Sequence, residues 1–203
     1  METNSQTSAY KNLETTIERR KATMRERNFK RLWVGALIFV SLFWVCAAAV
    51  AAEGKDPTKE TVLIGVKESG GLIIRLEIEP AQAMFMAMQG MWMEMKPEAG
   101  EIHHFEVKPE DPASKTRVSY AVVKFRAVNQ NSSKIVEKEL HPMWGGSGLH
   151  YGANGVLPGD GPYVATVTVE PPTFARGPKN KDMWRKPSQA EFKFTVRKGL
   201  IVP

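Results

Sequence analysis

The chain has 203 residues, a net charge of +6 and one cysteine. This length fits one domain with an added segment. A single cysteine, Cys46, excludes disulfides within the chain and zinc–thiolate or blue-copper centres in the domain that follows it. Eight basic and four acidic side chains lie in residues 1–31, and the rest of the chain lacks the basic stripe of a nucleic-acid-binding protein.

Residues 1–31 form a basic N-terminal tail. Apolar residues at nearly helical spacing allow an amphipathic helix on the membrane surface, and a solvated tail is the alternative. The basic side chains before residue 32 are expected to attract anionic lipid and to hold this tail in the cytoplasm.

Residues 32–52 (LWVGALIFVSLFWVCAAAVAA) carry no charge over 21 positions. About 20 apolar residues cross a bilayer as a helix, so this segment predicts a single transmembrane anchor with the remaining chain on the far side. Cleavage after Ala51, as in a signal peptide, is the competing interpretation, although the run exceeds a usual signal core of about 7–15 residues.

Residues 53–60 are a short polar linker, and from residue 61 apolar side chains recur at every second position. Alternation of this kind predicts half-buried strands. Six such segments are 62–66, 72–79, 120–128, 134–140, 162–169 and 191–196. Short strands with Gly, Pro and Asn turns predict an all-β, immunoglobulin-like antiparallel β-sandwich over residues 61–203.

Residues 84–95 (MFMAMQGMWMEM) contain six methionines. A two-residue turn at Gln89-Gly90 would place all six on one face of a β-hairpin. A flexible hydrophobic interface and a Cu(I)-binding relay are both open interpretations of this face.

Two further segments carry candidate metal ligands. His104 and Glu106 project to the same face of an extended stretch, because side chains alternate along a strand. Met143 and His150 bracket a glycine-rich loop that could bring both to the same ion. Imidazole, carboxylate and thioether together suit copper, and the nitrogen and oxygen donors also suit iron. Structural histidines, a core methionine and an ordinary turn are the alternatives.

Hydrolytic chemistry is not indicated. Residues 145–149 (GGSGL) fail the nucleophile-elbow pattern at the fifth position and lack its strand-to-helix context. The chain contains no P-loop, dinucleotide fingerprint or His-Glu-x-x-His motif. We therefore predict that the protein is not an enzyme.

The segment HPMWGGSGLHYGAN (141–154), followed by GDGPYVATVTVEPP (159–172), resembles the bacterial periplasmic high-affinity iron-transport proteins. His104-Phe105-Glu106 resembles their His-x-Glu motif, and residues 184–187 (WRKP) resemble their late Trp-x-Pro segment. The similarity spans roughly residues 61–197. It implies a periplasmic homodimer that binds copper and iron and acts with an inner-membrane permease, with metal ligands His104, Glu106, Met143 and His150.

The chain departs from that family where a further ligand histidine is expected, because residues 174–179 (FARGPK) contain none. Met88, Met91 or His103 could complete the coordination. The sequence thus predicts a membrane-anchored periplasmic protein that delivers copper or iron to an inner-membrane partner. The alternative is an accessory subunit of a membrane complex whose metal site has degraded.

Overall fold

The computed structural model describes residues 53–203. The predicted tail (1–31) and membrane anchor (32–52) lie outside these residues. Within residues 53–203 no helix has the length and apolar character needed to span a bilayer. The helical structure assigned in this range is a 3-10 turn, Pro178–Asn180.

The described chain is otherwise built from strands. Their bounds in chain order are β1 Val62–Ser69, β2 Leu72–Pro80, β3 Met84–Met88, β4 Met91–Met95, β5 His103–Glu110, β6 Val123–Asn129, β7 Ile135–Gly145, β8 Gly148–Gly155, β9 Gly161–Val169, β10 Ser188–Arg197 and β11 Leu200–Val202.

Nine of these strands form one continuous antiparallel sheet that folds on itself. Its order is β1-β2-β5-β8-β7-β6-β9-β10-β11. Strand β7 passes between the two layers, because its first half pairs with β6 and its last five residues pair with β8. The Ser69 hydroxyl donates to the Gln189 carbonyl at 2.6 Å where β1 meets β10. The result is an all-β, nearly closed sandwich.

The hydrophobic core lies between the two layers. Alternate residues of β2 point into it, and Phe105 of β5 stacks on Phe125 of β6 with ring centroids 4.5 Å apart. Tyr151 of β8 is also fully buried, and its hydroxyl donates to the Val118 carbonyl at 3.0 Å. The period-two alternation seen in the sequence is therefore the alternation between this core and the outer faces.

The six strands predicted from alternation are present, with shifted ends. Met143 and His150 lie on either side of the glycine-rich turn, as predicted, and they are directly paired residues of the β7–β8 hairpin. Only Gly146 and Ser147 form its turn. Glycines conceal the alternation here, because they supply no side chain to either face.

Strands β3 and β4 form a separate two-stranded sheet with the predicted register. Gln89 and Gly90 both have positive φ (51° and 79°), as a two-residue hairpin turn requires. The methionines pair as 84 with 95, 86 with 93 and 88 with 91. These six side chains are called the methionine face below.

Candidate metal centre

The candidate ligands lie on the outer face of the layer formed by β2, β5, β8 and the end of β7. Paired residues in an antiparallel sheet project to the same face. His104 pairs with Asn154, Glu106 with Gly152, and Met143 with His150. Register therefore brings residues from three strands to one patch, even though they are up to 50 positions apart in the sequence.

His104 is fully buried and is oriented by Asn154. The Asn154 side chain accepts a hydrogen bond from the Gln82 backbone N–H at 3.3 Å and donates to the Gln82 carbonyl at 2.8 Å, which fixes the orientation of its amide. Its oxygen lies 2.9 Å from His104 Nδ1. An amide oxygen can only accept, so His104 Nδ1 carries the proton and Nε2 presents a lone pair.

His150 is also buried and has the same tautomer by a different contact. Its Nδ1 lies 2.9 Å from the Gly148 carbonyl, which can only accept a hydrogen bond. Its Nε2 is therefore free for a ligand. The Nε2 atoms of His104 and His150 are both buried without a hydrogen-bond partner. Most buried polar atoms in proteins are paired, so two such nitrogens on one patch indicate a missing ligand.

Gly152 makes room for the His104 imidazole and the Met143 thioether. A Cβ added at Gly152 would lie 2.2 Å from His104 Nε2 and 3.2 Å from Met143 Sδ. Both donor atoms therefore converge on the bare backbone of β8. The His104 and His150 rings are nearly perpendicular, at 87°, with centroids 6.5 Å apart. Two imidazole nitrogens and a thioether sulfur form a donor set that suits copper.

Glu106 is buried beside these residues and is already paired. Its Oε1 lies 2.7 Å from Lys108 Nζ and accepts from the Ser147 hydroxyl at 3.0 Å. It is 3.7 Å from Nδ1 of His150, on the side of the ring away from the free Nε2. Burial would raise the pKa of Glu106, but the hydrogen bonds from Lys108 and Ser147 and the positive charge of Lys108 together outweigh it and lower that pKa.

Lys108 connects Glu106 to a second carboxylate. It is buried between Glu106 and Glu77, and its ammonium forms a short ion pair with Glu77. Burial would lower the pKa of Lys108, yet the two carboxylates raise it above its usual value. Burial, together with the charge of Glu106, raises the pKa of the neighbouring Glu79. Lys108 thus keeps Glu106 ionised and directs its carboxylate along β5.

Of the three additional candidates, the structure places His103 away from this patch. His103 lies on the opposite side of β5, where its Nδ1 accepts a hydrogen bond from the Leu157 backbone at 3.2 Å. Met88 and Met91 pair with each other beside the hairpin turn. A part in the coordination for Met88 or Met91 stays a prediction.

Sequence reasoning missed the residues that organise the patch. Asn154 and Gly152 follow His150 at steps of two, so period-two alternation could have placed them on its face. Lys108 lies two residues after Glu106 on β5, so the same alternation places it on the face of His104 and Glu106. His141 was also overlooked, although it pairs with Gly152 and is exposed at the edge of the patch.

No three His, Cys, Asp or Glu side chains surround a common point within the described part of the chain. The donor set that fits a metal is therefore the two free imidazole nitrogens with the Met143 sulfur. Ligation by His104, Glu106, Met143 and His150 stays a prediction, and the geometry favours Glu106 least because its carboxylate is turned toward Lys108.

Comparison with known families identifies the chain. A family model described as Fe2+ transport protein matches residues 59–197. The chain belongs to this Fe2+ transport protein family. The match covers nearly all of the described sandwich and includes every residue of the candidate patch.

The chain is also similar to two Brucella proteins over most of its length. UPF0423 protein BAB2_0840 of Brucella abortus is 28% identical over 192 residues, covering 84% of this chain and 98% of that protein. The same identity and coverage are found for UPF0423 protein BMEII0885 of Brucella melitensis.

Solved structures share the fold. The copper-reconstituted P19 protein of Campylobacter jejuni matches with a TM-score of 0.53 and 22% identity, covering 67% of this chain and 96% of P19. FetP of uropathogenic Escherichia coli strain F11 matches with a TM-score of 0.56 and 20% identity, covering 68% of this chain and 96% of FetP.

The segment without the expected histidine has its own packing in this family member. Phe174 meets Trp184 edge to face at 6.1 Å between ring centroids, and the Arg176 guanidinium lies 5.5 Å from the Phe174 ring centroid. Arg176 also donates to the Pro172 carbonyl at 3.0 Å. An aromatic and arginine cluster therefore occupies this segment, and it offers no imidazole.

Proposed function

We propose that the protein is a membrane-anchored periplasmic copper- and iron-binding protein that takes part in iron or copper uptake. In this proposal it passes the ion to an inner-membrane permease. The observation that carries the proposal is the pair of buried, unpartnered imidazole nitrogens, both in the tautomer that metal ligation requires. Family membership supports transport of iron as the cellular role.

Each residue has a distinct part in binding the cargo ion. His104 Nε2, His150 Nε2 and Met143 Sδ would hold the ion beside Gly152, whose lack of a side chain lets the His104 imidazole and the Met143 thioether approach β8. Asn154 and the Gly148 carbonyl fix the two imidazoles before the ion arrives, so little side-chain entropy is lost on binding. Glu106 would contribute negative charge beside the ion while Lys108 keeps it ionised.

The donor types favour copper at the central position, since a thioether is a soft ligand. Ferrous iron fits less well unless Glu106 leaves Lys108 and adds an oxygen. We accordingly propose copper as the more tightly held ion and iron as a cargo whose binding depends on Glu106. The copper-bound state of P19 is consistent with this order.

The remaining parts of the proposal concern location and assembly. Residues 32–52 would anchor the chain in the inner membrane as a single span, with the immunoglobulin-like sandwich in the periplasm and the basic tail against cytoplasmic lipid headgroups. A homodimer is proposed for the sandwich. Transfer to a permease would then take place at the membrane surface, where both proteins are confined.

Metal stoichiometry tests the proposal most simply. The full 203-residue chain would be loaded separately with Cu(I), Cu(II) and Fe(II) under conditions that preserve each oxidation state. We expect about one tightly bound copper at this patch, lost when His104 and His150 are both replaced by alanine. Fe(II) binding should weaken in Glu106→Gln while copper binding changes little. Equal metal content in wild type and the double variant would contradict the proposal.

A second candidate function is an accessory subunit of a membrane complex with a degraded metal site. It is favoured by Glu106, whose carboxylate is held by Lys108 and Ser147 and not aimed at the free nitrogens. This candidate predicts stable co-purification with a membrane partner that persists after chelation. Recovery of the chain without such a partner would count against it.

A further inference from the structure

The methionine face has a composition that hydrophobic packing does not explain. Six of the ten methionines in the chain lie on this one face. The buried core of residues 53–203 contains valine, isoleucine, leucine, alanine, phenylalanine and tyrosine, but no methionine. The chain therefore fills its interior with other apolar residues and places thioethers where solvent reaches them.

The β3–β4 hairpin exposes both of its faces. On the methionine face Met91 is 63% exposed and Met95 41% exposed, while Met84 and Met86 are half-buried. On the other face Phe85 and Trp92 are 64% and 75% exposed. The hairpin shares no strand pairing with the nine-stranded sheet. A surface that served only to bury apolar area could use either face, yet sulfur is confined to one of them.

The register sets the spacing of the sulfur-bearing side chains. Met88 and Met91 close the two-residue turn, so they form a hydrogen-bonded pair, and the other two methionine pairs follow at steps of two. Paired Cα atoms in such positions lie about 5.5 Å apart, and successive methionines on one strand about 6.8 Å apart. Methionine has three side-chain torsions beyond the backbone, so sulfurs from neighbouring pairs can meet at one point.

The chemistry of this face selects a narrow class of ligand. Thioether sulfur is neutral and soft, and it prefers Cu(I) over hard or borderline ions. The nearest charged group in the hairpin, Glu94, lies on the opposite face and pairs with Lys96 at 3.6 Å. The methionine face therefore offers sulfur donors without a competing carboxylate or imidazole.

The base of the hairpin is attached to the candidate metal centre. Gln82 precedes β3 by two residues, and both of its backbone polar groups bond the Asn154 side chain. The same side chain orients His104. One asparagine thus joins the start of the methionine face to a ligand of the first site.

We propose that the methionine face is a second metal site, which binds a soft monovalent ion, Cu(I), through thioether sulfur alone. This proposal does not depend on metal binding at the His104 centre. The methionine face differs from that centre in donor type and in exposure. Its sulfur atoms also do not bind protons, whereas imidazole nitrogens do. Binding at the methionine face should change little between pH 8 and pH 5, because thioethers do not protonate in this range.

The test uses Ag(I), a monovalent soft ion that does not change oxidation state in the assay. It is performed on the full chain carrying His104→Ala, His150→Ala and Cys46→Ser, so neither the first centre nor the thiol can contribute. In this background all six hairpin methionines are replaced by leucine. Exchange of Met for Leu conserves volume and usually costs less than about 1.5 kcal/mol, so the apolar surface is kept while sulfur is removed.

The matched control replaces Phe85 and Trp92, on the opposite face, by leucine. Equilibrium dialysis should give at least one Ag(I) per chain in the background and in this control, and at least a tenfold loss of affinity in the six-leucine variant. The methyl NMR signals of the hairpin methionines should shift on Ag(I) addition. A milder variant with only Met86→Leu and Met93→Leu should lose part of the affinity.

Two outcomes would overturn the proposal. One is the absence of Ag(I) binding in the background that lacks His104 and His150. The other is Ag(I) binding that persists unchanged in the six-leucine variant, which would leave the methionine face as a purely apolar surface. Failure of the His104 centre to bind metal would not affect either readout.

Discussion

The candidate metal centre and the methionine face present ligands in opposite ways. At the centre, His104 and His150 are buried, and each is held in one tautomer by a hydrogen bond from Nδ1. On the hairpin, the flexible thioethers are exposed or half-buried. They lie on a two-stranded sheet that pairs with no other strand of residues 53–203. The first arrangement fixes its donors before an ion arrives, and the second must gather them around it.

This difference has consequences for binding. Fixed donors lose little entropy on coordination, so they favour high affinity and a defined geometry. Flexible methionines lose more, so they favour weaker binding and faster release. A protein with both could collect a soft ion at the hairpin and retain copper at the sandwich.

The largest effect is expected from removal of a buried imidazole. His150→Ala should weaken copper binding at the centre by more than about 100-fold, since loss of even a hydrogen-bonding partner of a ligand costs about 10–100-fold. His141→Ala, at the exposed edge of the same face, should cost less than about tenfold. Competition titrations with a copper chelator measure both. Equal losses would show that burial does not distinguish the two histidines.

Filling the space above β8 should have the next largest effect. Gly152→Ala places a methyl group against His104 Nε2 and Met143 Sδ. We expect at least tenfold weaker copper binding and about 1–3 kcal/mol less stability, the usual cost of overpacking. The control is Gly146→Ala in the β7–β8 turn, where an added Cβ meets nothing within 4 Å. Copper titration and urea denaturation of both variants show whether the losses of copper affinity and stability are specific to Gly152 or follow from any glycine replacement in this hairpin.

Changing the residue that orients His104 should produce a smaller loss. Asn154→Ala removes the acceptor for His104 Nδ1, and we expect copper affinity to fall about 10–100-fold. Asn154→Asp keeps an acceptor and loses only the donor to the Gln82 carbonyl, so it should retain most of the affinity. If both variants bind copper equally poorly, the orientation of His104 by this hydrogen bond is not the cause.

The smallest effect concerns stability against pH in the metal-free protein. Burial lowers the pKa values of His104 and His103, so the unfolded chain binds more protons than the folded one below the ordinary histidine pKa of about 6.5. The stability contributed by keeping these histidines neutral should therefore be fully present above that pH. The free energy of unfolding should decrease as the pH falls from about 6.5 toward the lowered pKa values. Urea denaturation at pH 7.5 and 5.5 measures this change.

The control for the pH prediction is His104→Gln, which removes one titrating group and keeps a polar side chain. The change in unfolding free energy between the two pH values should be smaller in this variant than in wild type. A wild-type protein more stable at pH 5.5 than at pH 7.5 would contradict the lowered histidine pKa values.

Alternation of apolar residues predicted most of the sandwich, because each half-buried strand has one core-facing side. It also predicted the methionine hairpin, whose register follows directly from a turn at Gln89-Gly90. Strand β8 was missed because Gly148, Gly152 and Gly155 carry no side chain that could show alternation. Its place is fixed by pairing with β5 and β7, which is information from distant parts of the chain.

The sequence predicted which residues of the candidate site carry donor atoms, but not which neighbours hold those residues in place. His104, Met143 and His150 could be selected as donors, and the structure places them on one patch. The pairing of Glu106 with Lys108 and the orientation of His104 by Asn154 depend on the register and side-chain packing of several strands. Neighbouring sequence alone does not determine such contacts.

Copper X-ray absorption spectroscopy on the full chain, with the six hairpin methionines replaced by leucine and Cys46 by serine, tests the candidate metal centre most directly. With hairpin sulfur absent, the account predicts Cu(I) bound by imidazole nitrogen and one thioether sulfur, and loss of the sulfur signal in a further Met143→Leu variant. A copper environment without sulfur, or a sulfur signal that survives Met143→Leu, would contradict a site formed by His104, Met143 and His150.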